Sequence, residues 1–155
     1  MKLKAIKLKN FRSYQIEQTI TIDDLTAIIG KNDSGKSTVL EALEIFFNNS
    51  SAKIESADAS MNGDASDVCI TCIFCDLPIS LTIDSRAETT LIDEHLLNID
   101  GDLEILKKYN CGLKSPSVSI YVYANYPSNT NTTDLHQLKN AELKTRIAEL
   151  GVSTD

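Results

Sequence analysis

The sequence lacks a long apolar run and holds very few histidines. No stretch of its 155 residues approaches the ~20 apolar residues that a membrane-spanning helix needs. Its start, Met1 to Lys4, leads into a charged, alternating segment where a secretory signal would need an apolar run. We therefore expect a cytoplasmic protein without membrane contact. With only two histidines, the sequence gives no signal for a catalytic Ser/His/Asp or Cys/His arrangement. His136 stands apart from other candidate site residues, and we expect it to be solvated.

Positive charge is also scarce. The chain has 15 Lys and Arg residues against 22 Asp and Glu residues, which gives a net charge of −7. This balance excludes a broad nucleic-acid-binding surface, except at an N-terminal edge where five cations precede the first acid: Lys2, Lys4, Lys7, Lys9 and Arg12. Those cations could bind the phosphate groups of a nucleic acid. We favour the alternative, a solvated strand face that discourages edge pairing.

Four cysteines raise the question of a metal site. Cys69, Cys72 and Cys75 follow the spacing C-x2-C-x2-C, with Cys111 as a fourth candidate ligand, and this would suggest zinc or an iron–sulfur cluster. The segment from residue 68 to 75 is, however, rich in β-branched and aromatic residues and predicts a strand. Residues three apart in a strand point to opposite faces. We therefore favour small, buried, reduced thiols over a metal.

The strongest motif is a phosphate-binding loop. Residues 30–37 read Gly-Lys-Asn-Asp-Ser-Gly-Lys-Ser and fit the pattern G-x-x-x-x-G-K-S/T. The apolar run Leu25 to Ile29 before it predicts a buried strand. Apolar residues at three- and four-residue spacing after it predict a helix: Val39, Leu40, Leu43, Phe46 and Phe47. This order indicates a site for a nucleoside triphosphate, and we expect ATP. The alternative is an ordinary turn between a strand and a helix.

The chemistry of this loop assigns roles to its residues. Glycines at both ends let successive backbone N–H groups point at phosphate. Lys36 would reach the β- and γ-oxygens, and the Ser37 hydroxyl would ligate Mg²⁺. The predicted cofactors are therefore ATP and Mg²⁺. The predicted cofactor-binding residues of the loop are Gly30, Lys31, Asn32, Asp33, Ser34, Gly35, Lys36, Ser37 and Thr38.

Two further strands are predicted before the loop. Residues 3–9 form the first, although the alternation slips between Ala5 and Ile6, which indicates a bulge. The corner Asn10-Phe11-Arg12-Ser13 follows, and residues 15–22 then alternate as a half-buried strand. Residues 1–49 thus hold the strands, loop and first helix of an α/β domain. A length of 155 residues and a hydrophobic content of 42% fit one globular domain.

The rest of the chain is less distinctive. Residues 50–67 are small, polar or acidic and predict a long surface loop. Residues 68–155 are predicted to be strand-rich, with a helix that Asp134 caps and Gly151 ends. The predicted strands are residues 68–75, 79–83, 103–107 and 118–124, residues 86–98 carry a weak helix signal, Gly101-Asp102 is a turn and residues 127–133 a polar loop.

Three segments together resemble a known family. Residues 7–14, the phosphate loop and Leu40-Glu41-Ala42-Leu43 are similar to the N-terminal ATPase part of the OLD (overcoming lysogenization defect) nucleases, which typically carry an N-F-R-S corner, a G-x-N-x-x-G-K-S loop and L-E-A-L. The chain also looks, less specifically, like RecF and the SMC proteins. The match is dense over residues 1–47 and loose beyond. It implies a P-loop NTPase, the N-terminal lobe of an ABC-type ATPase with an antiparallel strand unit before the P-loop strand.

This resemblance also implies partners and a larger parent protein. Such ATPases work as dimers with ATP between the subunits, so we expect a homo-oligomer, at least a dimer. In OLD-like proteins a Toprim nuclease domain follows, and several members look like antiphage defence effectors that cut DNA. We therefore expect DNA contact through the parent and a partner from a defence system. Because no C-terminal ATPase half or Toprim cluster is recognised here, we interpret the chain as the N-terminal lobe of a longer protein.

The resemblance places Arg12 and Ser13 near the nucleotide. A guanidinium can pair bidentately with phosphate, although Arg12 could equally only pin the strand corner. A hydrolytic site would also need a strand that carries Asp-Glu to hold Mg²⁺ and polarise water. The candidates are Asp93 and Glu94, followed by His95, and a charged surface helix is the alternative for them. A weaker candidate is Asp84.

The leading hypothesis is the ATP-binding lobe of an OLD-family ATP-dependent DNA endonuclease in antiphage defence, in which ATP clamps two subunits and regulates a distant nuclease. The alternatives are a RecF- or SMC-like DNA-repair ATPase and a nucleotide-binding interaction module without hydrolysis. A small-molecule kinase is disfavoured, because its lid would be rich in arginine and only Arg86 and Arg146 follow the loop. We also expect an isolated lobe to expose an unpaired sheet edge and to associate.

Overall fold

The computed structural model describes residues 1–30, 35–84 and 87–152. The chain divides into two units, Met1–Ala124 and Asn125–Asp155. The elements of the first unit are β1 (Lys2–Lys9), β2 (Gln18–Thr21), α1 (Lys36–Phe46), a 3-10 turn (Ser56–Asp58), β3 (Val68–Cys75), β4 (Leu81–Asp84), β5 (Ala87–Thr89), β6 (Leu103–Asn110) and β7 (Ser117–Tyr123). The second unit holds a 3-10 turn (Leu135–Gln137) and α2 (Asn140–Glu149).

The first unit is built on a five-stranded sheet in the order β2-β1-β3-β6-β7. Every neighbouring pair is antiparallel, and β4 and β5 form a separate two-stranded hairpin. The prediction of a mixed α/β fold is confirmed, as are the strands predicted over residues 68–75, 103–107 and 118–124. Neither helix in the described part of the chain has the length and apolar character to span a bilayer.

A bulge in β1 explains the slipped alternation of its sequence. Leu3 pairs with Phe74 and Ala5 pairs with Ile73, so Lys4 is the extra residue between them. An extra residue reverses the inward and outward parity of the strand. Ile6, on the far side of the bulge, is therefore fully buried in the core that Leu3 also contacts.

The core lies between one face of the sheet and α1. Ile6 from β1 and Cys72 from β3 pair with each other and are fully buried with Val39 of α1. Burial raises the pKa of the Cys72 thiol to about 12, so this group is neutral and apolar in character. Cys69 lies on the opposite face of β3, where its Sγ contacts Asp67, as strand geometry requires.

The C-terminal end of α1 is anchored to the sheet by Lys107. Its Nζ donates to the Phe46 carbonyl at 2.7 Å and to Asn48 Oδ1 at 2.8 Å. The residue is only 7% exposed, and desolvation lowers its pKa. A cation here meets the carbonyls that the last turn leaves without helical partners. This contact holds the C-terminal end of α1 against β6.

The prediction of a buried strand over residues 25–29 is wrong. This segment forms no strand, and Leu25 and Ile29 are 92% and 90% exposed. A strand needs a neighbouring backbone to pair with, and in the described chain β2 is an edge strand and no segment pairs with residues 25–29. The strand predicted over residues 15–22 is shorter than expected, since β2 covers only Gln18–Thr21 and Ile16 is 75% exposed.

Three further predictions need correction. Residues 50–67 form a loop as expected, but the loop is not confined to the surface, because Asp58 and Ser60 are buried. Residues 86–98 give no helix in their described part, where β5 is followed by turns. Asp134 starts a 3-10 turn without capping α2, which begins after Lys139. The side chain of Glu142 accepts the Lys139 N–H at 2.8 Å and satisfies this end of the helix.

Candidate nucleotide-binding site

The corner after β1 and the start of α1 meet at a pocket. The corner is 20 residues or more away from α1 in sequence, and the two enclose a cavity open to solvent. Its lining residues are Arg12, Ser13, Gly35, Lys36, Ser37, Thr38 and Glu41. The structure thus brings together the corner residues and the C-terminal half of the phosphate loop. Lys31, Asn32, Asp33 and Ser34 lie outside the described residues.

The N-terminus of α1 is open to an anion. Gly35 precedes the helix with φ 82°, in the left-handed region that glycine adopts without strain. No side chain caps the first turn, and the turn carries no acidic residue. The N–H groups and the positive end of the helix dipole therefore face the pocket. This arrangement suits the oxygens of a phosphate.

Lys36 and Ser37 supply the loop's side-chain chemistry. The Lys36 Nζ donates to the Gly30 carbonyl at 2.6 Å, so the two ends of the loop are held near each other. Ser37 is exposed on the first turn of α1 and lines the pocket. An ammonium and a hydroxyl on one side of an uncapped helix start are the groups that a nucleotide phosphate and its Mg²⁺ require.

Arg12 is held at the edge of the pocket by two carboxylates. The corner turns tightly, with Arg12 at φ 49°, and the Arg12 N–H donates to the Asp58 carbonyl at 2.7 Å. The guanidinium Nε donates to Asp58 Oδ1 at 2.7 Å, and Nη1 pairs with Glu41. Burial alone would lower the pKa of Arg12, but the hydrogen bonds to Asp58 and Glu41 outweigh it and the pKa is raised. Arg12 is therefore a fixed cation beside the phosphate loop.

Asp58 is the residue of this site that sequence reasoning missed. Its side chain also accepts the Glu55 N–H at 2.8 Å, so the loop that follows α1 is tied to the same carboxylate. Ala59, next along the chain, bridges to Phe11 of the corner. The sequence offers little signal for this role, because residues 50–67 contain several acids in a polar context. Glu41 belongs to the L-E-A-L segment, and nothing in that pattern predicts its pairing with Arg12.

Asp93 and Glu94, the candidate catalytic residues, are not among the pocket lining. They lie in a turn between β5 and β6, where the Thr90 hydroxyl donates to Asp93 Oδ2 at 2.7 Å and the Thr89 hydroxyl donates to Glu94 Oε1 at 2.9 Å. His95, which follows, has φ 52°. Both carboxylates thus make local contacts that shape the turn, and a catalytic role for them stays a prediction.

A phosphate-loop glycine opens a helix that packs on a sheet, and this arrangement is consistent with a P-loop NTPase-like fold. The chain belongs to the AAA ATPase domain family, whose model matches residues 1–154. No curated protein matches it. Among solved structures it is similar to the SMC head domain from Thermotoga maritima, with a TM-score of 0.48 and 20% identity. That match covers 80% of this chain, and the chain spans 38% of the length of that structure.

Proposed function

We propose that this chain is the ATP-binding lobe of an OLD-type ATP-dependent DNA endonuclease that acts in antiphage defence. The observation that carries the proposal is the pocket in which the N-F-R-S corner lies against the uncapped start of α1. The family membership supports an ATPase module, and the OLD assignment rests on the N-F-R-S corner, the loop pattern and L-E-A-L. The nuclease chemistry would belong to a longer parent protein.

The described residues fit a Mg²⁺-bound triphosphate. Among them, Lys36 and the N–H groups of residues 35–38 would hold the phosphates, and Ser37 would ligate Mg²⁺. The sequence predicts the same phosphate-binding role for the backbone of residues 32–34, which lie outside the described part of the chain. Arg12 and Ser13 would face the outer phosphates. Arg12 is paired with Glu41 at the rim of the pocket, and Glu41 is partly exposed, so a phosphate that competes for Arg12 would leave a carboxylate that water can solvate. Asp58 would keep the guanidinium in position.

A regulatory role suits the pocket better than catalytic turnover within this chain. Glu41 is the only carboxylate among the lining residues that the structure describes, and it is paired with Arg12. The described lining thus offers no unpaired carboxylate to polarise an attacking water. ATP would therefore clamp two copies together through contacts that a second subunit completes, and hydrolysis would depend on groups beyond the described pocket.

The same observation favours a second candidate, a nucleotide-binding interaction module without hydrolysis. The two candidates differ in Asp93 and Glu94: an OLD-type, RecF-like or SMC-like ATPase that used them would lose hydrolysis in the Glu94→Gln variant, whereas a pure binding module has no hydrolysis to lose. Between the OLD-type and the RecF- or SMC-like assignment, the discriminating fact is whether the parent carries a nuclease domain.

The test is ATP binding to the 155-residue chain in the presence of Mg²⁺, measured by calorimetry while the mass in solution is followed. We expect binding that Lys36→Ala abolishes, since a phosphate site loses its mobile cation. Ser37→Ala should remove the Mg²⁺ dependence. Lys53→Ala is the matched control, because Lys53 is an exposed lysine outside the pocket. Binding that survives in Lys36→Ala, or no binding by a folded wild-type chain, would contradict the proposal.

A further inference from the structure

One edge of the five-stranded sheet is uncharged and unprotected. β7 is an edge strand that pairs only with β6 among the described strands, and all seven of its residues are exposed. No Asp, Glu, Lys or Arg occurs in residues 115–133, and β7 contains neither a proline nor a bulge. Charges, prolines and bulges are the usual devices that keep an edge strand from pairing with another chain. β7 uses none of them.

The opposite edge of the same sheet is protected. β2 has only four residues, and Glu17 and Asp23 lie close to its two ends. A short strand with charges at its ends is a poor template for pairing. The contrast between the two edges within one sheet indicates that β7 is kept free of charge for a contact.

β7 also extends the core face of the sheet beyond α1. Ile105, Lys107 and Tyr109 of β6 lie on the face that α1 covers, and their partners on β7 are Val122, Ile120 and Val118. The three β7 side chains share that face but remain 41%, 61% and 51% exposed. The edge therefore offers both unpaired backbone groups and an uncovered apolar row.

We propose that β7 pairs with β7 of a second copy of this chain, antiparallel and centred on Ile120, independently of ATP. A two-fold axis perpendicular to the sheet preserves its faces, so each residue pairs with one of the same face. Centring on Ile120, the middle residue of the strand, pairs Val118 with Val122 and Ile120 with itself. The other face then pairs Ser119 with Tyr121 and Ser117 with Tyr123.

A second copy fits this edge on charge and on pattern. Each chain carries a net charge of −7, so repulsion between two copies is smallest where they meet through a surface without acids. β7 is such a surface, and its register is self-complementary: β-branched residues meet β-branched residues, and each tyrosine meets a serine. One strand edge is smaller than the ~800 Å² per partner of a standard interface, so the dimer is expected to be weak.

The test is the mass of the full 155-residue chain by sedimentation, without nucleotide, from about 1 μM to about 300 μM, the range expected for a small interface. The wild type should shift from monomer to dimer with concentration. Ile120→Lys places two cations opposite each other and should weaken association at least tenfold. Met61→Lys, at a loop residue that is 97% exposed, adds the same charge elsewhere and should have no effect.

The register is tested by rescue. Val118→Lys and Val122→Glu should each weaken association, and the double variant should recover it, because each new lysine then faces the new glutamate of the other copy. Hydrogen exchange gives an independent measurement that requires no variant: amides of β7 that point away from β6 should become protected as concentration rises. Circular dichroism should be used to check that each variant is folded.

Three outcomes would overturn the proposal. The first is a wild-type mass and β7 exchange that do not change with concentration, which would leave the edge to another segment or partner. The second is association that Leu25→Lys abolishes and Ile120→Lys does not, which would move the contact to the exposed segment at residues 25–29. The third is association that requires ATP and disappears in Lys36→Ala, which would assign it to the proposed nucleotide clamp.

Discussion

The hydroxyl of Tyr14 donates a hydrogen bond to the carbonyl of Gly35 across 3.2 Å. Tyr14 closes the corner after β1, where its N–H donates to the Phe11 carbonyl at 2.8 Å, and Gly35 is the residue from which α1 begins. A Cβ on Gly35 would lie 2.9 Å from Ser13 Oγ and 3.1 Å from the Tyr14 ring. The corner and the end of the phosphate loop are thus fitted directly to each other, which explains how an antiparallel strand unit can position a phosphate site.

Tyr14→Phe should weaken ATP binding about twofold to fivefold, the effect of about 0.5–1 kcal/mol from one neutral hydrogen bond. The ring stays in place, so the free energy of unfolding should change by no more than the same amount. Tyr123→Phe removes a hydroxyl from an exposed β7 tyrosine and is the control. Calorimetric titration of both variants decides the matter, and equal affinities in the two would show that Tyr14 does not position the loop.

Gly35→Ala should abolish ATP binding and cost more stability than an ordinary glycine substitution. Gly35 and Gly101 have nearly the same φ, 82° and 79°, but a Cβ on Gly101 would meet nothing within 4 Å. Gly101→Ala therefore measures the backbone cost of the left-handed conformation alone, about 1 kcal/mol. Gly35→Ala adds the collision with Ser13 and Tyr14, and we expect a total of about 2–3 kcal/mol by urea denaturation. An equal loss of stability in Gly35→Ala and Gly101→Ala would mean that Ser13 and Tyr14 move aside without an energetic cost.

Arg12→Ala should destabilise the fold, because it leaves the carboxylate of Asp58 buried without its cation. Asp58 is 5% exposed and keeps the Glu55 N–H as a donor, so we expect a loss of about 2–4 kcal/mol. Lys36→Ala should lose ATP binding with little change in stability, so urea denaturation distinguishes the two variants.

The two interpretations of Arg12 separate in a variant that stays folded. Arg12→Lys keeps one cation for Asp58 but loses the bidentate geometry. If Arg12 meets phosphate, as we expect, ATP affinity in this variant falls about tenfold or more, the loss of about 1.4 kcal/mol from a charge-assisted contact. An unchanged affinity would show that Arg12 stabilises the strand corner and does not contact phosphate.

The sequence predicts those features whose causes are local. The β-branched and aromatic composition of β3, the three- and four-residue spacing in α1 and the parity slip in β1 all depend on neighbours a few residues away, and the structure confirms the strand, the helix and the bulge. The loop motif likewise predicted that Gly35 and Lys36 open a helix. For Arg12 and Ser13 only the family resemblance predicts a place near the nucleotide, because no local rule connects a corner to a loop more than 15 residues later.

The features that sequence reasoning missed depend on distant partners. The run from Leu25 to Ile29 has the composition of a buried strand, but a strand forms only where another backbone pairs with it. Asp58 is one acid among several in a polar loop, and only the fold selects it for Arg12. Lys107 lies in a strand that resembles a half-solvated one, and its burial follows from the position of Phe46 and Asn48 at the end of α1.

A last prediction concerns acid stability and the start of β3. Asp67 accepts hydrogen bonds from Lys108 at 2.7 Å and from Lys9 at 2.6 Å, and these contacts lower its pKa to about 2. The Asp67 carbonyl also accepts from the Asn10 side chain at 3.0 Å, so the ion pairs hold β3 against the corner that carries Arg12. Because the folded pKa lies below the unfolded value of 3.8, the stabilisation is present above about pH 4 and is lost as the pH falls towards 2.

Asp67→Asn should therefore lower the free energy of unfolding at pH 7 by about 1 kcal/mol, since Lys9 and Lys108 are both 41% exposed and solvent screens the pairs. At pH 2.5 the difference from wild type should shrink towards zero, because the wild-type carboxylate is then partly protonated and its advantage over the unfolded chain is largely lost. Asp100→Asn, at an exposed turn, is the control and should leave the wild-type profile unchanged. Urea denaturation at several pH values measures the effect. A destabilisation of the same size at every pH would show that Asp67 acts through packing and not through its charge.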